Sequence, residues 1–313
     1  MRCTWGLADY RPGAYPVATI GNFDGLHRGH HALLAEVIAA ARAHHGTALV
    51  LTFDPHPVTV LHPGATIRFL TSLDDKLSLL GTLGVDEVVF LKFDEVFAAL
   101  TPSAFVHDVL HRAVGVKELF VGEHFAFGKG RAGRIADLRR YGQETGIQVH
   151  AMTPAAVDGA VVSSTRIRTL LQQGDVRHAN ALLGRAYHLT GVVIHGEQRG
   201  QTLGWPTANI RLPAQRVIPP DGVYATLVKW GDRLYDSVSY IGVRPTFGAG
   251  ERLLEVTILD QSLTLYGERL EVRFIDRLRD DMTFATAADL AARIDQDVTQ
   301  ARATLKAAAE QMH

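Results

Sequence analysis

Two histidines three residues apart, His27 and His30, flank Gly29 just after a short apolar run and a Gly21-Asn22-Phe23-Asp24-Gly25 turn. On a helix, side chains at i and i+3 lie on one side, so two imidazoles placed this way can donate to a single phosphate. The first turn of a helix also presents unpaired backbone N–H groups and the positive end of its dipole, and a glycine there lets an anion come close. Neither ring has to be a nucleophile. When a nucleotidyl group is transferred the attacker is itself a phosphate, and the protein positions it and neutralises charge growing on the α-phosphate. Gly21, Asn22, His27, Gly29 and His30 are therefore candidates for an ATP phosphate site; the competing account is a pair of surface histidines.

Three further stretches carry similar chemistry. Ser164 and Thr165 open a helical pattern in which Arg168 follows one turn along. Hydroxyls cap helix starts, but Arg166 and Arg168 near that start oppose the dipole, which favours a phosphate over a plain cap. Gly122 to Arg134 alternates glycines with Lys129, Arg131 and Arg134, a loop type that can wrap phosphates or merely connect. Asp54 and His56 stand at the end of an apolar strand, where parallel sheets collect ligands. Prolines 55 and 57 argue against regular structure there.

A different chemistry is offered further on. Glycines 196, 200 and 204 make an adaptable loop, and Gly200 and Gly204 are candidates for binding ATP phosphates. If the chain is extended after it, Thr207 and Asn209 point the same way and offer two oxygens to a hard cation such as Mg²⁺; turn chemistry would explain them equally well. Glu255 shares a strand face with Leu253, Thr257 and Leu259, while Leu254, Val256 and Ile258 take the other. With both faces largely apolar, a carboxylate in a barrel interior is expected, a candidate general base; the competing account is a surface glutamate.

The elements that must position these groups fall into two sets. Residues 17–20, 48–53, 87–93, 118–121 and 148–152 read as strands alternating with helices through about residue 184, which implies a doubly wound parallel sheet, Rossmann-like in architecture. From 187 onward, short strands at 187–194, 223–230, 234–241, 253–259 and 270–275 are spaced as in a small antiparallel β-barrel. A C-terminal helix follows, with a Thr286/Asp289 cap and an apolar stripe of Leu290, Ile294, Val298, Ala301 and Leu305 that suits packing on the barrel. The expected domains are 1–184 and 185–313.

The 32 basic and 33 acidic residues balance, so there is no electrostatic footprint for nucleic acid or an anionic membrane, although one small anionic ligand fits. Cys3 is the single cysteine, which rules out an intrachain disulfide and suits a reducing compartment. No apolar run reaches spanning length and the N-terminus lacks a signal-like core, so a soluble cytoplasmic protein with no evident obligatory protein partner is expected.

Taken in order, GNFDGLHRGH, TFDPHP, FGKGRAG and SSTRIR, then LGWPTANI, DGVYA, IGVRPTFG, LEVTILD and LYGERLEVRF, resemble the bacterial bifunctional riboflavin kinase/FMN adenylyltransferase (FAD synthetase) family over almost the whole chain. The resemblance implies a pathway: riboflavin and ATP give FMN in the C-terminal domain, and FMN with a second ATP gives FAD and pyrophosphate in the N-terminal one. It implies that His27 and His30 bind ATP phosphates with Ser164, Thr165 and Arg168 in support, that Thr207 and Asn209 hold Mg²⁺ and phosphate, and that Glu255 accepts the ribityl hydroxyl proton. Some positions depart from the family pattern: Asp54 where glutamate is common, His124 where an acidic or amide residue is, Tyr240 where asparagine is, and Met282-Thr283 in place of a lysine-containing pair.

Overall fold

The computed structural model describes residues 1–157, 159–194, 205–243, 252–261 and 263–311. Contacts divide the chain into two compact units, Met1–Ser163 and Ser164–His313.

In the first unit the apolar runs form a six-stranded parallel sheet. Its strands are β1 (Arg2–Trp5), β2 (Pro16–Ile20), β3 (Thr47–Asp54), β4 (Glu87–Lys92), β5 (Glu118–Gly122) and β6 (Gln148–Met152), in the order β1-β4-β3-β2-β5-β6. Every residue of β2 is buried, as expected of a central strand covered on both faces. Ala18 and Ile20 face a core shared with Phe105, Val106, Val109 and Leu110 of a π-helical segment, Phe105–Ala113, and with Leu138 of helix α6 (Ile135–Thr145). Val17 faces the other way, onto Val37 and Ala41 of helix α1 (Arg28–Ala43). Helix α3 (Leu73–Leu83) packs beside α1 through Leu80 against Leu34, Val50 and Val88.

Two sequence expectations need amending here. β1 is an edge strand that four mixed residues at the N-terminus do not announce. Pro57 does not forbid structure; it opens a one-turn helix α2 (Pro57–Leu61) because a helix's first N–H groups lack partners anyway, and His56 Nδ1 accepts the Val58 N–H at 3.3 Å. A one-turn helix α4 (Glu95–Ala98) follows β4, and another, α5 (Pro102–Ala104), leads into the π-helical segment.

The second unit opens with helices α7 (Ser164–Gln173) and α8 (Val176–Leu183); α8 is tied to the barrel where Asn180 Nδ2 donates to the Phe274 carbonyl at 2.8 Å. After a two-stranded ribbon in the first unit, β7 (Ala156–Val157) and β8 (Ala160–Val161), the remaining strands close a six-stranded antiparallel barrel. They are β9 (Tyr187–Ile194), β10 (Ala208–Arg211), β11 (Gly222–Trp230), β12 (Arg233–Val243), β13 (Arg252–Ile258) and β14 (Arg269–Asp280). β10 was not expected; it is four residues long, and it pairs with both β9 and β13 to complete the barrel.

Inside and outside are separable by partner. Tyr224, Thr226, Ser237, Ser239 and Phe274 are wholly buried; Thr226 Oγ1 lies 2.7 Å from both serine hydroxyls, and the Tyr224 and Phe274 rings meet edge to face. Ala225, of opposite parity on β11, packs instead on Ala301 and Leu305 of the C-terminal helix α9 (Ala287–Gln311). The parity of Ala225 is therefore the outer face, and α9 covers part of it with the stripe expected of it. The helix is also held by charge. Arg279 on β14 grips Asp297 with Nε 3.0 Å from both carboxylate oxygens and Nη2 at 2.8 Å, and Arg293 adds a contact at 3.2 Å. With both groups largely buried, removing one leaves the other uncompensated. Asp297→Ala is expected to destabilise the second unit by about 3–5 kcal/mol, read as a lowered midpoint of denaturant unfolding.

Candidate active sites

The sheet order places a switch point beside β2. The chain leaves β2 through α1 toward β3, whereas β5 lies on its other side. Ligands of open α/β sheets gather at such a point, beyond the carboxyl ends of the strands. The turn found there, residues 21–27, is bent hard: Phe23, Gly25 and Leu26 have φ of 49°, 87° and 39°. Positive φ is unfavourable for Phe and Leu, and the surroundings enforce it. Both side chains are almost fully buried in the core under α1 and α3. Asp24, only 3 % exposed, ties the turn to the segment before α3: its carboxylate accepts the Leu70 N–H at 3.0 Å, the Thr71 N–H at 3.1 Å and the Thr71 hydroxyl at 3.2 Å.

The turn delivers His27 as the N-cap of α1, where its Nδ1 accepts the His30 N–H at 3.3 Å. That bond fixes the tautomer, leaving the proton on Nε2. The two rings stack, centroids 3.7 Å apart and planes within 13°, and Phe23 lies 5.0 Å from the His30 ring. His30 Nδ1 is buried with no hydrogen-bond partner among the described residues. Burial, with His27, His31 and Lys76 nearby, holds the His30 pKa well below the ordinary 6.5, so the ring is a neutral donor rather than a cation. Gly29 eases the stack, since a Cβ there would crowd His27 Cε1 and Nδ1 at 3.2 Å. Gly21 likewise eases the approach of the Phe23 ring, 3.3 Å from where its Cβ would be, and Asn22 beside it has a buried Oδ1 without a hydrogen-bond partner among the described residues.

Of the supporting groups, Lys129, Arg131 and Arg134 are exposed on a loop pinched shut by backbone pairing of Phe127 with Gly133. Ser164, Thr165 and Arg168 lie in the first turns of α7, which belongs to the second unit. A group that spacing did not single out is Lys76, whose Nζ donates to the Asn22 carbonyl at 2.8 Å.

In the second unit, register brings Asn209 directly opposite Glu255, and Glu255 opposite Tyr240. The three form one row across β10, β13 and β12. Continued across β11, the row reaches Val223, which shares the outward parity of Ala225. Glu255 therefore lies on the outer face of the barrel, not in its interior as expected. Leu254, Val256 and Ile258 take the interior, and Glu255 is nonetheless only 8 % exposed. Asn209 is 3 % exposed and its Oδ1 is buried with no hydrogen-bond partner among the described residues. Thr207, just before β10, lines a 290 Å³ cavity with Val193, Ala208, Val256 and Ile258. Tyr240 donates its hydroxyl to Asp281 Oδ1 at 3.0 Å. Gly196, Gly200 and Gly204 lie outside the described residues.

Comparison with known proteins agrees with this two-part layout. The FAD synthetase family model matches residues 13–166 and the riboflavin kinase model residues 183–305. The chain is 38 % identical over 287 residues to the bifunctional riboflavin kinase/FMN adenylyltransferase of Escherichia coli K12, covering 91 % of each chain. It is 39 % identical over 305 residues to the protein of the same name from Pseudomonas fluorescens, covering 97 % of each. A crystal structure titled as a macrolide-efflux protein from Streptococcus pneumoniae superimposes with a TM-score of 0.89 at 30 % identity, over 96 % of this chain and 99 % of that one. Among the described residues no helix is long and apolar enough to cross a membrane. With both family models matched in order and two such relatives aligned nearly end to end, the chain belongs to the bifunctional riboflavin kinase/FMN adenylyltransferase family.

Proposed function

We propose that this chain makes flavin cofactors in two steps, phosphorylating riboflavin to FMN in domain 185–313 and adenylylating FMN to FAD in domain 1–184. The observation that carries it is the match of both family models in order onto a stacked histidine pair at the switch point and a ladder that sets Asn209 opposite Glu255. His30 Nδ1 and Asn209 Oδ1, buried with no hydrogen-bond partner among the described residues, are open to a ligand.

In the kinase domain Glu255 accepts the proton of the ribityl hydroxyl as that oxygen attacks the γ-phosphorus of ATP and ADP departs. Thr207 and Asn209 would hold Mg²⁺; a buried amide oxygen is the hard ligand such an ion takes, and Mg²⁺ when bound neutralises charge on the phosphates. Gly200 and Gly204 belong to the same phosphate-binding stretch. In the adenylyltransferase domain a phosphate oxygen of FMN attacks the α-phosphorus of the second ATP, and pyrophosphate leaves with the bonding pair. No base is needed. His27 and His30 donate to the phosphates, with Gly21, Asn22 and Gly29 shaping the turn and Ser164, Thr165 and Arg168 adding donors. The substrates are riboflavin, FMN and ATP, and the compartment is the cytoplasm.

Purified protein given riboflavin, ATP and Mg²⁺ is expected to yield FMN and then FAD by chromatography. Glu255→Ala should stop FMN formation while FMN is still converted to FAD, and His30→Ala should do the reverse; loss of both steps in either folded variant would refute two separate sites. A pH effect follows from His30. Its folded pKa is depressed, so below about pH 6.5 the unfolded chain binds a proton that the folded chain refuses, and stability falls as pH drops, by up to about 1.4 kcal/mol per pH unit. Denaturant unfolding at about pH 7.5 and about pH 5.5 should show a smaller difference for His30→Gln than for the unmodified protein.

A further inference from the structure

Lys76 lies in the first turns of α3, whose start is locked by a reciprocal cap: Asp75 N–H to Ser72 Oγ at 3.0 Å and Ser72 N–H to Asp75 Oδ2 at 3.3 Å. From that fixed base its side chain reaches back to the phosphate turn and donates to the Asn22 carbonyl at 2.8 Å. Burial lowers its pKa, and Asp24 and Asp54 raise it. Its charge is in turn one of the influences acting on His30. The ammonium is thus held at the Asn22 carbonyl, and its charge acts with those of Asp24, Asp54 and His30.

For holding a carbonyl, a lysine is a costly choice. A neutral donor would make the same bond without desolvating a charge. The charge itself needs a use, and adenylyl transfer supplies one. A bond forms between an FMN phosphate oxygen and the α-phosphorus, the bond from that phosphorus to the bridging oxygen breaks, and both electrons leave on pyrophosphate. No proton moves, so the negative charge that grows must be met by donors and fixed positive charge. The stacked histidines provide donors, and the start of α1 provides only a partial charge.

We infer that Lys76 is a positioning residue for adenylyl transfer: it holds the Asn22 carbonyl and sets a full positive charge directly behind the phosphate turn. The inference rests on the first unit being the FMN adenylyltransferase. Full-length Lys76→Gln keeps a donor and removes the charge, Lys76→Arg keeps both, and Lys76→Met keeps neither. For Lys76→Gln, the kcat of FAD formation from FMN should fall about tenfold or more, with the KM for FMN little changed and riboflavin phosphorylation intact. Lys76→Arg should restore most of that loss, and Lys76→Met should be at least as impaired as Lys76→Gln. Followed by NMR, the His30 ring should titrate at higher pH in Lys76→Gln, a shift that a purely structural prop would not produce. FAD formation by Lys76→Gln within about twofold of the unmodified rate, or an unmoved His30 titration, would overturn the role. If the unmodified protein made no FAD at all, the assignment of the first unit would fail instead.

Discussion

The carboxylate of Asp24 is the interaction on which the first site depends. The chain must leave the buried centre of a parallel sheet and enter α1 within a few residues, and it does so only by placing Phe23 and Leu26 at positive φ. Such a turn would relax if left alone. Asp24 prevents this by tying it to Leu70 and Thr71, while the Phe23 and Leu26 side chains are sunk beneath α1 and α3. Rigidity here has a chemical purpose. Positioned donors are worth most when they need no reorganisation as charge develops, and the stacked pair of His27 and His30 is set by this turn.

The second site meets the same requirement with register in place of a strained turn. Pairing of β10, β13 and β12 fixes Asn209, Glu255 and Tyr240 in one row, so the separation of a carboxylate from an amide oxygen follows from the ladder itself. Placing the row on the outer face has a consequence. The barrel interior holds Tyr187, Tyr224, Phe274 and the Thr226–Ser237–Ser239 hydroxyl cluster, so the row of Asn209, Glu255 and Tyr240 sits apart from that packed core.

Much of this is legible in the sequence, and the failures have physical causes. The strand, turn and helix around His27 show because an apolar run stops at Gly21 and leucines then recur at helical spacing. The face of Glu255 does not show, because residues 253–259 are apolar at both parities and periodicity cannot tell an interior from a covered exterior. β10 is missed because a strand of four residues just after Pro206 offers too little pattern. Lys76 is hidden for another reason. A lysine early in a capped helix looks like part of a solvated face, and its partner is a backbone carbonyl 54 residues away, which no spacing rule can find.

Tyr240 and the Met282-Thr283 pair turn out to be neighbours. Tyr240 stands beside Glu255, and its hydroxyl bonds Asp281, the residue immediately before Met282-Thr283. The ring lies against Gly242, where a side chain would collide with it, so the glycine is what admits a tyrosine there. Burial and then Asp281 push the Tyr240 pKa up, which keeps the phenol protonated and able to donate. The same segment is held a second time where Arg279, locked to Asp297, lies over the Phe284 ring at 5.8 Å. The chain leaving β14 is therefore tied to the barrel beside Glu255 by an aromatic hydroxyl and an aromatic face. Tyr240, Asp281, Arg279 and Phe284 thus form a single braced corner beside Glu255.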